Sequence, residues 1–266
     1  MFEGFYGMKV TPFTREIPTD AVYMSHDVDE ILNRMKYVAQ RQLFATLTGD
    51  CGTGKSLVLR KLRDSLDPRR YKFLYISDSS LAPSAFYRTI NRQLGLETRY
   101  RRSEAREQLH QELKVLKAMD GITPVCVCDE THLYSKEMLE ETRFLLNTDM
   151  DSRSPMALIL CGQTELMKRL KLKTYTAIFQ RIDFQCVMNH FDRSETGEYI
   201  RSQMQYAGVD HEIFTDKAID MIFEFTTGTA RMINKVCTSL LMYGDQERLK
   251  IIDDHAVQII LEHEFS

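Results

Sequence analysis

No stretch of this 266-residue sequence approaches 18 consecutive apolar residues, and its N-terminus carries no basic-then-apolar leader. Neither a membrane span nor a secretory signal is therefore expected. The six cysteines, at 51, 126, 128, 161, 186 and 237, form no C-x-x-C pair and no disulfide framework. Most fall in apolar runs, the usage of reduced core cysteine in a cytoplasmic protein. Charge of one sign is also missing: 35 Lys and Arg stand against 38 Asp and Glu, a net charge of -3. That excludes a global basic field, so any nucleic-acid surface must be a local patch. Internal repeats, low-complexity segments, helix-turn-helix motifs and zinc modules are absent too. What remains is ordinary globular material, 43% hydrophobic and 27% charged. It suffices for one large domain or a core with a small lid.

The stretch Gly49-Asp50-Cys51-Gly52-Thr53-Gly54-Lys55-Ser56 organises the rest. It reads G-x-x-x-x-G-K-S, the phosphate loop of P-loop NTPases. Glycines let the backbone approach a phosphate without an intervening Cβ. Amides of the loop and of the following helix face the anion. Lys55 supplies positive charge to the β- and γ-phosphates, and Ser56 a hydroxyl for Mg²⁺. Gly49, Asp50, Cys51, Gly52, Thr53, Gly54, Lys55, Ser56 and Leu57 are thus the candidate nucleotide-binding residues. The flanks meet the context requirement: Leu43–Thr48 is an apolar run of strand formers, and Ser56–Arg63 is amphipathic at helical spacing.

The first 20 residues are irregular but aromatic, with Phe2, Phe5, Tyr6 and Phe13. They read as a lead-in packing on a core that spans 21–190, either covering the nucleotide base, as such segments often do in P-loop proteins, or as plain core packing. Helices are expected over His26–Gln40, Pro83–Leu94 and Ser135–Leu146, with Ser103 capping another to about Met119. Tyr71–Ser77, Met156–Cys161 and Asp183–Met188 read as strands. From 191 to 266 the pattern is all helix, about 192–207, 213–226, 229–243 and 253–263. Alternating strands and helices imply an α/β fold with a mostly parallel sheet, plus a C-terminal α-helical lid.

Val125-Cys126-Val127-Cys128-Asp129-Glu130 is an apolar strand ending in two acids, a Walker B pattern. Asp129 would hold Mg²⁺ through water and Glu130 would polarise the attacking water. His132 reads as either a phosphate sensor or a helix-start residue. Gln163, after the strand 156–161, either meets the γ-phosphate and its water or simply starts a helix. Arg181 is a surface charge or an arginine reaching a neighbouring subunit's nucleotide. Arg231 is an ordinary helix-start residue or a lid contact to nucleotide. The most basic stretch, Arg99, Tyr100, Arg101 and Arg102, with Arg153 as a weaker candidate, is either a solvated face or a set of phosphate contacts that weaken with salt.

The order of these parts resembles the AAA+ ATPases, and more closely their ExeA/GspA-type branch. The likeness runs through Phe5–Phe13, Gly49–Ser56, Val125–Leu133, Leu158–Leu166, Phe179–Ile182 and Thr227–Asn234. The resemblance implies ATP as the nucleotide; the residues alone leave ATP and GTP open. It implies sensor 1 at Gln163, an arginine finger at Arg181 and sensor 2 at Arg231. Thr131, Gln163 and Ala230 depart from the residues usual in that pattern, which implies slow hydrolysis. Freestanding members resemble transposition regulators such as TnsC, TniB and Mu B. Others carry a membrane span and a peptidoglycan-binding region. A chain that reaches Ser266 just after the lid favours the first kind. The expected function is an ATP- and Mg²⁺-dependent regulator that forms a homo-oligomeric ring or filament on duplex DNA and presents the target to a transposase. Its alternatives are a secretion or cell-envelope ATPase module and a nucleotide-dependent signalling switch without DNA binding.

Overall fold

The computed structural model describes residues 2–146 and 154–265. In chain order the elements are α1 (Phe2–Phe5), α2 (His26–Arg41), β1 (Phe44–Gly49), α3 (Lys55–Ser65), β2 (Tyr71–Ile76), α4 (Pro83–Gln93) and α5 (Arg102–Val115). They continue with β3 (Thr123–Cys128), α6 (Lys136–Leu146), β4 (Ala157–Gly162), α7 (Glu165–Leu170), α8 (Thr176–Phe179) and β5 (Phe184–Met188). The last four are α9 (Arg193–Tyr206), α10 (Asp216–Thr226), α11 (Ala230–Gln246) and α12 (Asp254–Glu264).

The chain forms two compact units. One, Val28–Cys51 with Lys55–Met188, holds the sheet. Its strands lie in the order β2-β3-β4-β1-β5 and every pairing is parallel. Burial explains the order. All six residues of β1 and of β4 are buried, and five of the six in β3. Such unbroken apolar runs suit the middle of a parallel sheet covered on both faces. β2 and β5 alternate between exposed and buried residues and lie at the edges. The registers Thr48↔Gly162, Gly49↔Met188 and Cys128↔Leu160 bring the carboxyl ends of four strands to one edge. Open α/β sheets bind ligands at that edge.

The second unit comprises Met1–Asp27, Gly52–Gly54 and Asn189–Ser266. Its core joins Phe2, Tyr6 and Phe13 to Ile200, Met204, Phe214, Ile219, Leu240 and Ile260. This corrects the expectation that the aromatic lead-in packs on the 21–190 core. The lead-in is stitched into the helical unit instead. Tyr6 donates its hydroxyl to the Leu249 carbonyl at 2.9 Å. The Phe13 N–H donates to the buried Gln203 side chain at 3.0 Å. Gly244 lets α11 accept the lead-in, because a Cβ there would lie 2.0 Å from the Tyr6 hydroxyl. Aspartates and a threonine cap α9, α10 and α12: Asp192 forms a capping box with Glu195, and Thr215 and Asp253 accept from Ala218 and Ala256 N–H.

One cap differs from expectation. α5 begins at Arg102, with Arg101 as an extended N-cap residue and no side-chain cap bond, so Ser103 lies inside the first turn. The first turn carries Arg102 to acids of α6, described below. Among the described residues, no helix is long and apolar enough to cross a membrane.

Candidate nucleotide site

β1 ends at Gly49, and α3 starts at Lys55. The intervening loop turns through Gly52 at φ 90° and Gly54 at φ 102°, a region that L side chains rarely adopt. The Lys55 ammonium donates to the Gly49 and Asp50 carbonyls at 2.7 and 2.8 Å. It is thereby fixed at the carboxyl edge of the sheet. Ser56 is exposed on the first turn of α3, and Leu57 is half-buried beside it. Cys51 is exposed, whereas Thr53 is buried at the loop tip.

Asp129 follows β3 and is buried. Its N–H donates to the Ile76 carbonyl at 2.7 Å, so the β2–β3 ladder continues to the acid itself. Its Oδ1 accepts the Glu130 N–H at 2.8 Å and its Oδ2 accepts the Tyr75 hydroxyl at 2.6 Å. Glu130 sits in the left-handed region at φ 52°, and its side chain is half-exposed. That backbone turns the chain out of the strand and frees the second carboxylate from the buried face. The Thr131 hydroxyl donates to the Cys161 carbonyl at 2.8 Å. Arg169 of α7 donates to the carbonyls of His132 and of Tyr134, the latter at 2.7 Å. The acid pair therefore hangs on a turn clasped to the end of β4. His132 lies within that clasp: its Nδ1 is 3.5 Å from Glu130 Oε2 and accepts the Gln163 N–H at 3.4 Å.

Gln163 is the first residue after β4, half-buried. Next to it, the Thr164 hydroxyl donates to Asp50 of the phosphate loop at 3.1 Å. Lys55, Asp129, Glu130 and Gln163 are thus gathered at one edge by three neighbouring strands. The field between them is felt by Cys161. Burial, and then the adjacent Asp129 carboxylate, push its thiol well above the usual range, with Lys55 opposing. Tyr75 is raised likewise, by burial first and then by its bond to Asp129, and remains a hydrogen-bond donor.

Arg181 and the basic stretch lie elsewhere, whereas Arg231 meets Gly52. Arg181 is half-buried in the turn before β5, its N–H donating to the Ile178 carbonyl at 3.0 Å. Phe184 is level with Ala45 and Met188 with Gly49, so Arg181 stands about 13 Å or more below the phosphate loop at the strand rise. An arginine side chain spans only about 7 Å from its Cα by standard bond lengths. Arg181 cannot reach the loop of its own chain. In the helical unit, the Arg231 N–H donates to the Gly52 carbonyl at 3.2 Å. A Cβ on Gly52 would lie 2.8 Å from the Arg231 Cβ, so only glycine fits there.

The basic stretch divides. Arg99 and Arg101 are exposed, and Tyr100 is 84% exposed with the Arg88 guanidinium 5.8 Å from its ring centre. Arg101 comes within 3.6 Å of Glu104. Arg102, its side chain 44% exposed, pairs with the exposed Glu137 at 3.0 Å and with the fully buried Glu141. Arg153 lies outside the described residues. Tyr75, Thr164 and Arg169 were missed by the sequence reading. Each acts across strands or turns far apart in the chain, and no local pattern marks them.

Residues 38–170, half of the chain, match the family described as AAA domain. Over 246 residues the chain is 28% identical to general secretion pathway protein A of Aeromonas hydrophila, covering 91% of this chain. It spans only 44% of the length of that relative. Among solved structures it is similar to Cdc6p from Pyrobaculum aerophilum, with a TM-score of 0.68 and 18% identity over 90% of this chain and 67% of that one. It is also similar to the Aeropyrum pernix ORC1 protein, solved in complex with DNA, with a TM-score of 0.66 and 15% identity over 91% and 66% of the two chains. At such identities the likeness establishes the fold, a parallel sheet flanked by helices in the P-loop AAA+ arrangement. With half of its length matched on a sheet ordered in this way, the chain belongs to the AAA domain family.

Proposed function

We propose that this chain binds ATP with Mg²⁺, hydrolyses it slowly between subunits, and as a nucleotide-bound homo-oligomer holds duplex DNA to regulate transposition. The observation that carries the reading is the division of labour across the sheet. Lys55, Asp129, Glu130 and Gln163 meet at the carboxyl edge, while Arg181 stands beyond reach at the other. An arginine out of reach of its own site supports a reading in which it serves a neighbour's.

The donor set fits the cofactor. The hydroxyl of Ser56 and the carboxylate of Asp129 are hard oxygen ligands, few in number, as suits a cation that keeps several waters and leans on substrate phosphates. Bound Mg²⁺ would offset charge on the transferring phosphoryl group. Lys55 would orient the phosphates, and the half-exposed Glu130 would take the proton of the attacking water. Gln163 would hold that water or the γ-phosphate, and Arg231, whose N–H meets the Gly52 carbonyl, would be a nucleotide contact. Arg99, Tyr100 and Arg101 would supply sequence-independent phosphate and stacking contacts. The transposase would then be offered the DNA so held, in the cytoplasm.

A second reading has its own support. Likeness to general secretion pathway protein A over 91% of this chain favours a secretion or cell-envelope ATPase module whose assembly ignores DNA.

Negative-stain electron microscopy with duplex DNA, with and without a non-hydrolysable ATP analogue, separates the two. Rings or filaments on DNA only with nucleotide are the expected result. Nucleotide-dependent rings indifferent to DNA would favour the envelope reading or a signalling switch. Doping wild-type protein with Arg181→Ala subunits tests the shared site. Turnover should fall faster than the wild-type fraction, and a proportional fall would remove Arg181 from the neighbour's chemistry.

A further inference from the structure

Asp129 has two carboxylate oxygens, and each accepts one hydrogen bond of different origin. Oδ1 takes the N–H of the next residue, a bond that any strand-to-turn backbone of this shape supplies. Oδ2 takes the Tyr75 hydroxyl at 2.6 Å, across the sheet from β2. Tyr75 is level with Val127, and Asp129 is two residues further on. Alternation puts both side chains on one face, within diagonal reach of a long aromatic.

The phenol is also fixed at its root. β2 is an edge strand, and an edge residue ordinarily leaves its outer N–H and C=O to solvent. At Tyr75 the Gln93 side chain from α4 takes both. Its Oε1 accepts the Tyr75 N–H at 2.9 Å, and its Nε2 donates to the Tyr75 carbonyl at 2.7 Å. One amide thus replaces a missing strand at the residue whose hydroxyl holds Asp129. Tyr75 is 41% exposed, so core packing does not account for a large aromatic at this place.

We propose that Tyr75 is a positioning residue for Asp129, fixing the orientation of the carboxylate that would hold hydrated Mg²⁺, with Gln93 anchoring Tyr75 in turn. This rests on the reading of Asp129 as the metal-site acid of an ATPase. The physical need is clear: an aspartate's terminal torsion is broad, and a single backbone N–H does not fix it. A second donor does. Partners of metal-holding groups are typically worth ten- to hundredfold in metal affinity, and contact through water puts Tyr75 at about tenfold.

The test is binding, without turnover. A fluorescent non-hydrolysable ATP analogue is titrated onto the full chain at stepped Mg²⁺ and in EDTA. Tyr75→Phe should raise the Mg²⁺ midpoint about tenfold and leave the affinity in EDTA unchanged. Asp129→Asn should raise the midpoint further. An unchanged midpoint in Tyr75→Phe, with Asp129→Asn shifted, overturns the role of Tyr75 alone. An unchanged midpoint in Asp129→Asn overturns the reading of Asp129 and the role of Tyr75 with it. If Tyr75→Phe does not fold, Gln93→Ala carries the same test. It keeps the phenol and should raise the midpoint by roughly two- to threefold, a fraction of the full effect. No rise there would overturn the proposal.

Discussion

Among the described residues of the sheet unit two carboxylates are buried, Asp129 and Glu141, and they are treated in opposite ways. Glu141 on α6 accepts the Tyr87 hydroxyl of α4 at 2.5 Å and pairs with Arg102 of α5. Its charge is matched on the spot, and three helices are tied by the match. The Tyr87 phenol, pushed up to about 12 by burial, stays a donor. Asp129 has a phenol and a backbone N–H as partners, both neutral. Among the described residues, no cation forms a salt bridge with it. Burial alone therefore does not mark chemistry. A buried acid whose charge is left to be answered from outside is the candidate for holding a cation, whereas one answered from within is a strut.

The sharpest way to break that comparison is at the strand ends. Lys55→Ala should abolish measurable nucleotide binding, and near-normal affinity would remove the phosphate loop from the site. Glu130→Gln should bind nucleotide normally and lose about 10²- to 10⁴-fold in kcat, the usual worth of a general base. Single-turnover and binding titrations together check it. Unchanged turnover would leave Glu130 as a turn residue whose left-handed backbone serves only the clasp around β4.

The strut should answer to stability instead. Glu141→Ala leaves the Tyr87 hydroxyl and one face of Arg102 without their acceptor inside α4, α5 and α6. Arg102 keeps Glu137 and solvent, so the cost is mainly the stranded Tyr87 hydroxyl, roughly 1–3 kcal/mol. Denaturant melts should show the loss, while the folded fraction keeps its nucleotide affinity. A stable Glu141→Ala variant with impaired turnover would erase the distinction between the two acids.

The same contrast explains what the sequence could and could not disclose. The phosphate loop and the apolar run into Asp129-Glu130 are local patterns, each set by neighbours a few residues apart, so they are legible. The central strands are legible too, because β1, β3 and β4 are buried on both faces and read as unbroken apolar runs. The aromatic lead-in was seen as packed but assigned to the wrong partner. Nothing in Phe2, Tyr6 or Phe13 says which apolar surface they join, and the decisive complement, Gly244 in α11, lies over 200 residues away. Tyr75 was hidden for the same reason: its role exists only once β2 lies beside β3. The pairing of Arg102 was hidden too, because a run of arginines looks uniform until Glu141 is found beneath one of them.

That last division yields the smallest and most discriminating effect. Arg99, Arg101 and Arg102 are all exposed, but Arg102 also pairs with Glu137 and with the buried Glu141. If the stretch grips DNA through phosphates, each exposed arginine contributes about one unit to the slope of log affinity against log salt. Arg99→Ala with Arg101→Ala should therefore lower the slope by about two and leave melting unchanged. Arg102→Ala should do the reverse, lowering stability while the slope holds. The pair of measurements works because a change in stability alone scales affinity equally at every salt concentration and cannot imitate a change in slope. An unaltered slope in the double variant would return Arg99 and Arg101 to an ordinary solvated face, and equal slope changes at all three positions would mean that Arg102 leaves Glu141 when DNA arrives.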